Sequence, residues 1–125
     1  MRKILFKARR NVGGEWVTGH YGLTFMGSHT ISCKVNGVFV TDTIDPETLC
    51  EYTGRDTDDG KPFFEGDIIV AVVHNERREV VIFFDAAYAA FRIKNHGNGV
   101  SHMSDTFYTM PWKKKGVIKG NIHDD

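Results

Sequence analysis

Two carboxylates flank a single glycine in the stretch Glu65–Gly66–Asp67. In an extended chain, residues two apart share a face with side chains about 7 Å apart. A divalent cation or an acid–base pair could use that spacing. The triplet also has a structural reading. Glycine supplies a backbone angle that other residues avoid, and an aspartate beside it can accept neighbouring N–H groups at the entrance to a strand. We adopt the structural reading and assign no catalytic, cofactor-binding or metal-binding residue from the sequence. The acidic run from Arg55 to Gly60 does not fit a calcium loop: with Gly60 at the sixth position, Arg55 would be first and Thr57 third, and neither is a carboxylate.

The remaining reactive residue types are scattered. Cys33 and Cys50 stand seventeen positions apart, a spacing that suits neither a redox pair nor a zinc knuckle, so two buried reduced thiols are expected. The histidines are His20, His29, His74, His96, His102 and His123. His96 and His102 share a glycine-containing loop with Asp105, where a metal or an enzymatic site in loop 94–106 is the alternative to plain surface imidazoles. Ser28–His29 and Ser101–His102 are adjacent pairs, but a triad is a spatial arrangement that adjacency does not supply. No nucleophile elbow or phosphate-cradling glycine motif is present. Basic clusters occur at Arg9–Arg10, Arg77–Arg78 and Lys113–Lys115, the last following Trp112 and close to Phe107 and Tyr108. Cations beside aromatics can stack on single-stranded bases, so a nucleic-acid-binding small β-barrel is a second alternative. A solvated rim around buried aromatics is the reading we prefer.

The elements that would hold these residues are strands and turns. Ile4, Phe6 and Ala8 alternate with Leu5 and Lys7. The short segments 15–21 and 23–26 follow, separated by Gly22. Residues 30–43 form the clearest hairpin, because Asn36–Gly37 is the pair favoured where both turn positions need φ > 0. That turn places Val35 opposite Val38, Cys33 opposite Val40 and Ile31 opposite Asp42. Asp45–Pro46–Glu47 signals a helical turn, with Asp45 as cap and Pro46 at the first helical position, expected to close at Thr53–Gly54. Residues 67–73 and 79–85 are apolar on both faces, which points to strands inside a barrel or between packed layers. Ile68, Val70, Val80, Ile82 and Phe84 are the expected core. Residues 85–93 read as strand, 94–105 as a loop, and 116–122 as a last short strand.

The chain has 125 residues, enough to bury a core without staples. Sixteen basic residues balance sixteen acidic ones, so no overall positive field attracts nucleic acid. The apolar run Ile4–Leu5–Phe6 is too short for a signal peptide, and no stretch approaches the ~20 apolar residues of a membrane span. A cytoplasmic protein with no membrane partner is expected.

Taken in order, Pro46–Glu47–Thr48, Tyr52–Thr53–Gly54, Asp59–Gly60–Lys61 and Glu65–Gly66–Asp67 resemble the centre of the YopX family of bacteriophage and prophage proteins. The opening Arg2–Arg9 resembles that family's first strand, and residues 116–122 resemble its closing motif. Segments 11–43 and 94–113 carry no such likeness. The resemblance implies a mainly β protein of phage or prophage origin, made in a bacterial cytoplasm. It implies no activity, no cofactor and no catalytic residues. The resulting expectation is a single 1–125 YopX-like domain, with a possible subdivision into N-terminal β-hairpins (1–50) and a small bent barrel or roll (51–125) against which they pack. Its expected role is non-enzymatic interaction with a host or phage macromolecule, a protein in preference to nucleic acid.

Overall fold

The computed structural model describes residues 4–73, 76–95, 104–106 and 117–124. It is mainly β and antiparallel, as the turn spacing predicts, and divides into two compact units, Met1–Gly54 and Arg55–Asp125.

The first unit contains β1 (Phe6–Arg9), β2 (Trp16–Leu23), β3 (His29–Val35), β4 (Val38–Thr43) and the start of β5 (Cys50–Asp56), in spatial order β4-β3-β2-β1-β5. The β3–β4 hairpin turns at Asn36 (φ 50°) and Gly37 (φ 83°). Its register pairs Val35 with Val38, Cys33 with Val40 and Ile31 with Asp42, as the Asn–Gly pair predicts. Ala8, Ile31 and Ile44 are buried together, with Phe6, Val17 and Leu49 packed against them. Pairing of Phe6 with Gly19, Ala8 with Val17, and Tyr21 with Ile31 keeps this set on one face. Between β4 and β5, Pro46–Thr48 forms a 3-10 turn. Asp45 caps it, its carboxylate accepting the Glu47 N–H at 3.0 Å. The turn ends at Leu49 rather than at Thr53–Gly54. Cys50 pairs with Lys7 and Glu51 with Phe6, so ladder hydrogen bonds draw the following residues into β5.

In the second unit, β5 leads through the turn at 57–60 into β6 (Pro62–Phe64). There follow β7 (Asp67–Val73), β8 (Glu76–Asp85), β9 (Ala90–Asn95), β10 (Ser104–Thr106) and β11 (Val117–Asn121), ordered β10-β9-β8-β7-β11. The expected barrel is corrected here: among the described residues this sheet is open, with β10 and β11 at its two edges. Closure requires edge strands that pair with each other, and these edges do not.

The expected core is corrected in part. Ile69, Val80, Ile82, Phe91 and Ile93 are buried with Phe63, and Ile118 packs against them. Ile69 lies opposite Val80 and Ile82 opposite Ile93, so these four share one face. Ile68 and Val70 fall on the other and are half-buried. Phe84 reaches the edge of the core, 44% exposed, its ring edge-on to Phe91 at 5.4 Å. The strand expected over residues 85–93 begins at Ala90. Residues 86–89 form a turn, with Ala89 at φ 50° and the Asp85 carboxylate accepting the Ala87 N–H.

Candidate functional site

Asp67 is almost fully buried at the start of β7. Its carboxylate accepts the Phe64 N–H at 2.8 Å and an Asn121 side-chain N–H at 3.0 Å. The same Asn121 amide donates to the Glu65 carbonyl at 3.2 Å. Gly66, at φ 85°, turns the chain between the two acidic residues. Its N–H donates to Ile82 and its carbonyl accepts from Ile122. Asp67 therefore joins the β6–β7 turn to β11. Sequence reasoning missed Asn121, which lies 54 residues away and carried no local signal.

The other reactive types are dispersed. Cys50 is buried and donates to the Thr48 carbonyl, whereas Cys33 is only half-buried, which corrects the expectation of two buried thiols; neither forms a disulfide. His29 shares a hydrogen bond with the Tyr21 hydroxyl at 2.5 Å, and His20 is exposed. Among the described residues, no three His, Cys, Asp or Glu side chains gather as a metal would need. His74, His96, His102, most of loop 94–106 and Lys113–Lys115 lie outside the described residues, as do the side chains of Arg77, Arg78 and Asp105. Asp59 has its carboxylate held below the ordinary range, chiefly by a hydrogen bond from the Thr57 hydroxyl. That contact tightens the turn that the acidic run forms.

The described basic residues are engaged locally. Arg9 donates to the Gly14 carbonyl. Arg10 bridges Glu15 at 2.9 Å and Asp42 at 3.2 Å. On the second sheet, Arg92 pairs with Asp85 and Lys119 with Glu79. Arg92 also lies over the Tyr88 ring, and Lys94 over Phe83.

What stands out in the first unit is apolar side chains left in water. The first such surface is the β2–β3 turn. Thr24 N–H donates to the Ser28 carbonyl, Gly27 N–H to the Thr24 carbonyl, and Ser28 N–H to the Thr24 hydroxyl. Gly27 takes the left-handed angle the turn needs, φ 85°. This ordered loop displays Phe25 at 98% exposure and Met26 at 77%, beside exposed Leu23. The second surface is β4, at the end of the strand order. Val38 and Phe39 are 64% and 66% exposed, and Val35 and Val40 are exposed beside them. Lys34 lies over the Phe39 ring at 5.8 Å.

No protein-family model matches this chain, and no curated protein matches it. Function must then be read from these surfaces. Neither was marked as a site by the sequence, where a run such as Val38–Phe39–Val40 reads as an ordinary core strand.

Proposed function

We propose that the chain is a non-enzymatic interaction protein of a bacteriophage or prophage, acting in the bacterial cytoplasm by docking a protein partner on the Leu23–Met26 turn. The observation that carries this reading is an ordered turn that holds Phe25 and Met26 in solvent. Exposed apolar groups that the fold does not use mark interaction sites, and aromatic residues with methionine are enriched at protein interfaces. The phage setting rests on the resemblance to the YopX family, strongest at residues 45–72. No helix among the described residues is long and apolar enough to cross a membrane.

The test is capture with a tagged chain from infected or induced bacteria, wild type against Phe25→Ser/Met26→Ser. Both substitutions sit on exposed positions, so the fold is expected to survive. A protein retained by the wild type and lost by the double variant supports the reading. An identical set of captured molecules from both overturns it.

A second reading, nucleic-acid binding, draws on the Arg92–Tyr88 and Lys94–Phe83 pairs. Asp85 and Glu79 on the same sheet, together with zero net charge, weaken it. A labelled oligonucleotide whose binding falls steeply with salt would favour it.

A further inference from the structure

We infer that the open edge of β4 is a self-association surface, pairing antiparallel with β4 of a second copy of this chain about a two-fold axis at Phe39. A two-residue turn of this type makes Val35 and Val38 exchange both peptide hydrogen bonds, and the exchange recurs at every second residue. Positions 38, 40 and 42 of β4 therefore direct their peptide groups to β3. The Ile44 N–H donating to the His29 carbonyl fits that phase. Positions 39, 41 and 43 direct theirs away from the sheet.

The Thr43 carbonyl is used, accepting the Asn11 N–H at 3.0 Å. Among the described residues, the outward peptide groups of Phe39 and Thr41 receive no backbone partner. The open stretch is thus bounded by the Asn36–Gly37 turn at one end and by the Asn11 contact at the other. It comprises residues 37–41, and its midpoint is Phe39.

Self-pairing about that midpoint matches the whole open stretch with itself. Phe39 meets Phe39 of the second copy and exchanges two peptide hydrogen bonds with it. Val38 meets Val40 of the second copy, and Val40 meets Val38. On one face the exposed valines become a continuous apolar stripe across both chains. On the other, the two Phe39 rings become neighbours, each with Lys34 of its own chain alongside.

Charge permits this arrangement. Residues 37–41 contain no charged side chain, and the chain as a whole is neutral. The two Lys34 residues would stand three strand spacings apart, about 14 Å, beyond the screening length at physiological salt. Edge strands that avoid pairing carry Lys, Pro or a bulge; residues 38–41 carry none of these. A second copy is the occupant that fits an edge symmetric about its own centre.

Sedimentation equilibrium of the purified chain over a dilution series tests this. The expected result is a dimer that dissociates on dilution. Phe39→Pro removes an outward N–H, which an edge strand tolerates, together with the ring at the axis, and should weaken association by roughly tenfold or more through loss of the two axial hydrogen bonds and the ring contact. Val40→Lys, which leaves every peptide group intact, should do the same. Val12→Lys, a similar charge on an exposed turn outside the open stretch 37–41, should not. Circular dichroism of each dilute variant shows that it is folded. A wild-type chain monomeric at every concentration overturns the inference, as does a dimer unaffected by Phe39→Pro and Val40→Lys. This inference does not rest on the proposed partner docking at Phe25 and Met26. It is read on the pure chain, so its failure leaves the capture result standing.

Discussion

At the scale of residues, Asp67 shows how a carboxylate near another carboxylate can serve structure. It is buried, and it accepts hydrogen bonds from a turn N–H and from an amide on β11. Asp67→Ala takes away both acceptors at once, so denaturant unfolding should show a loss of about 1–3 kcal/mol. Asp67→Asn keeps the volume but presents one oxygen to two donors, and should also destabilise, which separates lost hydrogen bonding from lost packing. Equal or greater stability in Asp67→Ala would instead point to relief of repulsion at a crowded acidic site. Thr57 and Asp59 give a second residue-scale expectation. The Thr57 hydroxyl favours the ionised carboxylate, so Thr57→Ala should raise the Asp59 pKa, measurable by NMR titration. The sign follows from the depressed folded value: the Thr57 contribution is present above the ordinary Asp range and is lost as pH falls through the folded pKa.

At the scale of elements, two glycines and one isoleucine carry distinct loads. Gly37→Val should cost about 1 kcal/mol or more, because a β-branched residue resists the left-handed angle of the hairpin turn. Gly66→Ala should cost about 1–2 kcal/mol for the same angle, and more because a Cβ there would press on Asn121 at 3.1 Å. Ile82→Ala, at the centre of the second core, should cost about 2–5 kcal/mol. Thermal or denaturant melts of the three variants check these values. The elements also show what the sequence could disclose. The β3–β4 register was legible because Asn36–Gly37 dictates turn length, and turn length sets every pair. The inward phase of β7 was not, because the run from Ile68 to Val73 is apolar at every position and a period of two has no contrast to report. The helical turn at Pro46 was legible in its cap but not in its end, which is set by pairing with the distant β1. The candidate surfaces stayed hidden for a related reason: Phe25 and Val38–Val40 have core composition, and only strand order shows that β4 lies at an edge.

At the scale of the whole molecule, an apolar edge and a neutral chain act together. Colloidal repulsion between copies depends on net charge, and a protein near zero charge associates most readily. With sixteen residues of each sign, this chain is balanced at neutral pH. Charge therefore sets no net repulsion between copies at the β4 edge. Static light scattering at neutral pH should show a second virial coefficient that stays low as salt is added, because screening has no net repulsion to remove and leaves the apolar contact in place. A coefficient that falls steeply with added salt, while circular dichroism shows the fold intact, would show that repulsion between copies outweighs the charge balance. The β4 edge would then have to hold copies together against that repulsion by its peptide and valine contacts alone.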